Sequence, residues 1–598
     1  MALAVGRSPH TFHVPVMGTG FMIDAPLRIA KYGISSVVSL VDDVLIEEMR
    51  KLHCAREGEP YEPIAASLED ARACRITAYL NLLDLLVQRQ VVALQASPFE
   101  AGSEITRYFD LLPDGPLAQQ YRAMLAVQDP AERAQRQSQL RGLAVPGSID
   151  VNIMSKADRE IYRKGVKLPP QFGDALAALR GFAQSTLASS IVFSAGMNPR
   201  LYSYAAEFPD FFPDQHGRLK KQIVLKVSDF HSAAVQGKYL AKRGLWVSEY
   251  RVESGLNCGG HVFVTKGLLM GPILDEFRQH RRDLVEQLHA TYAKTMAARG
   301  APLGAEPYPV RITAQGGIGT AAEDAMLREH YGVDGTGWGT PFLLVPEVTN
   351  LDDEHRRKLC EADDSQVYLS DSSPFGLPFW NLRNSASEEA RRRRIAEGRP
   401  GSACARGYVK LFNVEFTKTP ICTASRQYQK LKLEQIDAQD LPESDRAALR
   451  EAVVVKSCIC HDLAGAATLK HGIDPKATPA VCCGPNIINF SRVATLEEMI
   501  GHIYGRLALP VPADRPHMLV RELQLYIDYL RKQLAKPKVT AAVVPEGYYE
   551  EFVENLLVGV EYYRRLAGHF TGSDQFRFRQ QLDILQYQLQ NLLAAKAA

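Results

Sequence analysis

The sequence predicts an α/β fold, a (β/α)8 TIM barrel with a helical insertion, followed by an additional C-terminal α-rich, cysteine-containing module. Three observations predict it. Eight short β-prone runs separated by helical stretches precede residue 345. The run Arg311-Ile-Thr-Ala-Gln-Gly-Gly-Ile-Gly-Thr320 ends a strand in glycines, and Gly335-Thr-Gly-Trp-Gly-Thr340 repeats the device about twenty residues on. Glycines there let backbone N–H groups approach an anion, and a following helix N-terminus adds a favourable dipole. The loops after strands 7 and 8 hold phosphate in barrels of this kind, so Gly316, Gly317, Gly339 and Thr340 are the expected phosphate cradle.

In chain order, residues 12–20 read as a strand ending in a Gly loop, 25–32 as a helix and 35–40 as a second strand, a βαβ opening. Residues 45–145 break the alternation. Ser67-Leu-Glu-Asp70 can cap a long helical run through Gln95, and 118–139 reads as helical and polar, so this stretch is expected to be an insertion over the barrel. Strand-like runs resume at 148–154, 190–195, 222–227 and 245–254. With the two opening runs and the two Gly-loop strands they make eight, and a barrel of roughly 250 residues takes less than half of the 598. The expected division is a barrel over 10–345, a cysteine-containing module over 346–510 and a helical tail over 511–598.

The later segments have their own signals. Residues 345–440 are polar and irregular, with a helix at 386–396 whose four consecutive arginines, Arg391 to Arg394, read as a solvated face. In the tail, Val520, Leu523, Ile527, Leu530 and Leu534 step by three and four, as do Leu582, Leu585, Leu589 and Leu592. Such stripes pack on their own chain more often than on a partner, and a homo-oligomer through these helices is the alternative.

With 70 basic against 68 acidic side chains, nothing in the balance points to nucleic acid or a membrane surface. The sequence has neither a basic, apolar leader nor a run of eighteen apolar residues, so the expected location is cytoplasmic and the expected partner a small-molecule substrate. Ten cysteines in so long a chain suit reduced thiols or metal ligands. Cys458, Cys460, Cys482 and Cys483 have the count for zinc or an iron–sulfur cluster, with His461 as an alternative ligand. A redox-active thiol pair and plain buried cysteines are the competing readings.

Taken together, the loops resemble the nitronate monooxygenase (2-nitropropane dioxygenase) family of FMN-dependent barrels over residues 10–45 and 148–345, about two-fifths of the chain. Val14-Pro-Val-Met17-Gly18 looks like that family's opening loop beneath the flavin, and Asp150-Val-Asn152 like its strand end that touches the flavin. Ser254-Gly-Leu-Asn-Cys-Gly-Gly-His261 is similar to its Gly-Gly-His loop. A related branch, the trans-acting enoyl reductases of polyketide and polyunsaturated fatty acid synthases, shares Gly-Gly-His and Gly-Gly-Ile-Gly-Thr. The resemblance implies FMN, with Met17, Gly18, Asn152, Gly259 and Gly260 around it. It also implies Lys226 at the pyrimidine end, where a cation stabilises the anionic reduced ring. His261 would be the catalytic acid or base. The implied function is an FMN-dependent oxidoreductase acting on a small carbon acid or nitronate. A flavin enoyl reductase, with or without an iron–sulfur donor, is the enzymatic alternative, and a non-enzymatic assembly scaffold is the alternative of another class.

Overall fold

The computed structural model describes residues 8–154, 158–163, 165–194, 196–257, 261, 262, 264, 266–300, 306–410 and 413–597, with side chains to 592. Eight parallel strands close into a barrel. They are β1 Phe12–Val14, β2 Ser35–Ser39, β3 Ile149–Ile153, β4 Ser189–Phe193, β5 Lys221–Val227, β6 Val247–Glu253, β7 Arg311–Gln315 and β8 Gly335–Gly337. Each pairs with its sequence neighbours, and β8 closes on β1 through Phe12 opposite Thr336 and His13 opposite Gly337. All eight lie where the β-prone runs placed them.

The closing seam explains why β8 is almost all glycine. A Cβ on Gly337 would lie 2.5 Å from Gln315 Cβ and 3.1 Å from the His13 ring, and one on Gly335 would lie 2.9 Å from the Thr11 carbonyl oxygen. Within the barrel, Val16, Val37, Val192 and Val224 form an apolar cluster. Alternation along β6 gives Glu249, Arg251 and Glu253 one parity. Arg251 donates to Glu249 at 2.7 Å, as does the Thr313 hydroxyl.

The insertion packs into the main core. Helix Ala71–Ala96 buries Ile76, Leu80, Leu83, Val87 and Leu94 along one face. It approaches helix Asp174–Ala183 so closely that a Cβ on Gly181 would meet the Ile76 side chain at 2.8 Å. This helix begins after Asp70, but the Asp70 carboxylate makes no cap bond; it pairs with Arg180 at 2.8 Å instead. The polar run beyond it is two helices, Pro116–Leu125 and Pro130–Leu143. Pro130 starts the second, where Asp129 accepts the Glu132 N–H at 2.7 Å.

After the barrel, a hairpin of Val367–Ser370 and Phe379–Leu382 reaches the mouth, where Phe379 bridges to His261. Helix Ala386–Ala396 matches its expected bounds, and there Arg391 pairs with Glu388 while Arg392 donates to the Arg383 carbonyl. The tail helices Met518–Leu534, Tyr548–Leu566 and Gly572–Ala597 bury Leu523, Ile527, Leu530, Leu582, Leu585 and Leu589 in the core shared with the barrel. The leucine stripes are thus covered by this chain itself. Among the described residues, no helix is long and apolar enough to cross a membrane.

Candidate active site at the barrel mouth

A cavity with about 1340 Å³ of empty space, part of it open to solvent, lies at the C-terminal ends of the strands. Its walls include Val16 and Gly18 after β1, Ser39 of β2, Asn152 of β3, Ser194 after β4, Lys226 of β5, and Glu253, Ser254 and Asn257 at the end of β6. Its roof comes from the later module: Phe375, Leu377, Phe379, Tyr408, Val409, Ile459, Cys460 and Leu463. This is the face where barrel enzymes gather their chemistry. The roof is tied down at Gly20, whose N–H donates to the Leu463 carbonyl at 3.0 Å.

Glu253 organises one wall. Its Oε1 accepts from Lys226 Nζ at 3.0 Å, from Asn257 Nδ2 at 2.9 Å and from Gln315 Nε2. Gln315 Oε1 in turn lies 3.2 Å from His13 Nε2. His13 is buried, and loss of solvation pushes its ring down to about 3, so it is a neutral hydrogen-bonding group at physiological pH. Glu253 escaped the sequence reading, although its shared parity with Glu249 and Arg251 was visible there.

On the roof side stands His261. Its Nε2 lies 2.5 Å from Ser373 Oγ, and its ring meets Phe375 and Phe379 at centroid distances of 5.2 and 5.8 Å. Ser373 is fully buried, and its Oγ also accepts the Phe375 N–H at 3.2 Å. The histidine is therefore held on one ring nitrogen and along its edges, while its residue lines the cavity. Asn152 contributes a buried side-chain oxygen with no hydrogen-bond partner. Such an atom costs stability unless something occupies it.

Several expected residues stand elsewhere. Met17 is fully buried in the main core, while its neighbours Val16 and Gly18 line the cavity. Gly259 and Gly260, like Cys258, lie outside the described residues. Gly316, Gly317, Gly339 and Thr340 are buried and are not among the lining residues. Leu256 covers Gly317, where a Cβ would come 2.6 Å from Leu256 Cδ1; Asn257 and Ser254 press on Gly316.

The anion position at the helix after β7 is filled from within the chain. Glu323 accepts the Gly319 N–H at 2.8 Å, the Met518 N–H at 2.7 Å and Arg515 at 2.6 Å. Arg515 also donates to the Gly317 carbonyl at 2.9 Å, Asn486 donates to Ile318 at 2.8 Å, and His502 lies 2.9 Å from the Gly319 oxygen. Thr320-Ala-Ala-Glu323 has the spacing of a capping box, a signal the sequence carried.

The positions that the resemblance gives to FMN divide between the cavity lining and the buried glycine loops. Asn152, Lys226 and His261 line one cavity, whereas Gly316, Gly317, Gly339 and Thr340 are buried outside its lining, and the Gly319 N–H is taken by Glu323.

Of the four cysteines expected to share a metal, Cys458 and Cys460 lie together in one cluster. Cys482 packs with Phe379, Ile459, Leu463 and Ala480, and Cys483 belongs to the main core. Burial raises the Cys483 thiol, which keeps it protonated and inert. The four do not form one site.

Below the cavity edge, Glu522 of helix Met518–Leu534 accepts the Met270 N–H at 2.9 Å and bonds with Ser254 and Tyr563. Burial pushes its carboxyl up to about 7, above the ordinary 4.5. Its stabilising contribution is therefore full below pH 4.5 and is lost as pH rises through about 7. Glu522→Gln is expected to flatten this slope and to raise stability at pH 8 by about 1–3 kcal/mol. Urea denaturation of both proteins at pH 5 and pH 8 checks it.

No family model matches the chain, and no curated protein matches it. Among solved structures, it is loosely similar to the enoyl reductase domain of MlnA from the macrolactin biosynthesis cluster of Bacillus amyloliquefaciens. The identity is 14% and the TM-score 0.32, over 70% of this chain and 88% of that one. So loose a likeness carries no inference about activity.

Proposed function

We propose that the barrel-mouth cavity is the active site of an oxidoreductase-class enzyme that moves a proton at carbon on a small organic substrate. The observation that carries the reading is the convergence of His261, Lys226, Glu253 and Asn152 on one cavity from the roof-side loop and separate strand ends. His261 removes or returns the proton at a carbon acidified by a neighbouring nitro or carbonyl group. An oriented imidazole is the side chain best matched to that task near neutrality. Lys226 stabilises the nitronate or enolate oxygen that bears the resulting negative charge, and Glu253 holds the ammonium in place. Phe375, Leu377 and Phe379 keep water from the carbanion and favour a substrate with an apolar end.

Oxidation of a nitronate or carbon acid is the finer reading, supported by the loop resemblance, and it calls for a bound redox group. The second reading is reduction of an activated C=C bond, with His261 delivering the proton to carbon. It is favoured by Cys460, which puts a sulfur ligand candidate in the cavity wall. Oxygen uptake with an added nitronate separates the two. Consumption without added reductant is expected for the oxidase. Silence until a reductant is supplied, followed by loss of an enone's absorbance, identifies the reductase. Inertness in both assays, with and without added FMN, would remove the oxidoreductase reading.

A further inference from the structure

Cys458 and Cys460 have two sulfur neighbours that the sequence did not suggest. Cys404 and Cys422 join them in one buried cluster, closed by Tyr408, Val409, Ala424 and Phe375. Both lie within electrostatic reach of Cys460, and none of the four is in a disulfide.

The Ala424 N–H donates to Cys422 Sγ at 3.5 Å, and the peptide groups of Gly407, His461 and Tyr408 lie near Cys404, Cys458 and Cys460. Peptide N–H groups directed at sulfur are the outer-shell pattern of thiolate ligands, where they orient the ligand and tune a cluster's potential. A neutral thiol in an apolar core has no need of them. Lys410 and Arg159 add positive charge near Cys404, with Lys410 acting on Cys422 as well. The four residues come from separate loops and a short helix start, so no single local turn explains their meeting.

We propose that Cys404, Cys422, Cys458 and Cys460 ligate an iron–sulfur cluster of the four-cysteine type. Among the described residues, no three His, Cys, Asp or Glu side chains are arranged to hold a single metal ion. Mononuclear zinc needs its sulfurs at about 2.3 Å from one centre. A cluster spreads its thiolates over several irons and accepts a wider set. Cys460 also lines the barrel-mouth cavity, so the cluster would stand directly against the substrate space.

The test is iron and acid-labile sulfide counted on full-length protein purified without oxygen. Absorption and electron paramagnetic resonance spectra follow on the same sample before and after dithionite. Iron and sulfide in equal amounts, with a paramagnetic signal on reduction, are the expected result. Cys404→Ser and Cys422→Ser should each lose most of both, whereas Cys482→Ala should keep them. Circular dichroism and elution volume distinguish a folded, cluster-free variant from a collapsed one, and if both serine variants collapse the wild-type counts decide alone. Zinc without sulfide, no iron after anaerobic reconstitution with ferrous iron and sulfide, or full iron retention in both serine variants would each overturn the proposal.

Discussion

His261→Ala is expected to slow turnover by about 10²–10⁴, the range for a lost general acid or base, while leaving substrate affinity within a few-fold. The residue is held for one task. Ser373 fixes one ring nitrogen, two phenylalanine rings pack against it, and it lines the same cavity as the Lys226–Glu253 pair. Because Ser373 is fully buried, it acts as a positioning residue. Ser373→Ala should therefore change kcat less than the histidine variant does and should move the pH profile of kcat/KM. Steady-state kinetics of the two variants across pH 5 to 9 check both statements. A histidine variant with unchanged kcat would take the ring out of the chemistry.

Glu323→Ala carries the largest expected loss of stability, about 3–5 kcal/mol, because it strands a buried partner charge. The Glu323 and Arg515 side chains are 3% and 7% exposed, and the carboxylate also satisfies the Gly319 and Met518 N–H groups. Burial works to raise the Glu323 carboxyl, yet Arg515 and the N–H donors hold it below the ordinary range. Its contribution is thus present above the unfolded value of 4.5 and is lost as pH falls through the lower folded value. Glu323→Gln, which keeps an acceptor, should cost less. Urea midpoints measure the series. Added inorganic phosphate should stabilise Glu323→Ala and not the wild type, because the vacated seat is a helix N-terminus beside an arginine. A loss under about 1 kcal/mol would mean that the seat is not filled as described.

The contrast between the barrel and its glycine loops shows what a linear reading reaches. Seven of the strands were legible as local runs of β-prone residues ended by a turn signal, and β8 from its glycine loop, and the spacing between them leaves room for crossover helices. His261, Lys226 and Asn152 were legible because they sit at strand ends or in a strand-end loop, where barrel topology sends chemistry. Glycines before a helix signal an anion site without saying which anion. The one present is Glu323, and the arginine that completes it is 192 residues away. Met17 is buried in the core while its neighbours Val16 and Gly18 line the cavity, a difference that the loop's sequence does not report. Of the cysteine set, Cys458 and Cys460 lie together while Cys482 and Cys483 pack elsewhere. Cys458 and Cys460 are close in sequence, but Cys404 and Cys422 reach them only through the folding of the roof, which no local periodicity reports.

Hydrogen–deuterium exchange at the α-carbon of a small nitroalkane in D₂O, followed by proton NMR, tests the central claim most directly. It isolates proton movement at carbon from any electron transfer. The wild type should catalyse the exchange above the buffer rate, and His261→Ala should return it to within a few-fold of buffer. Equal exchange by the two proteins, or none by the wild type across nitroalkanes and activated ketones, would contradict the account.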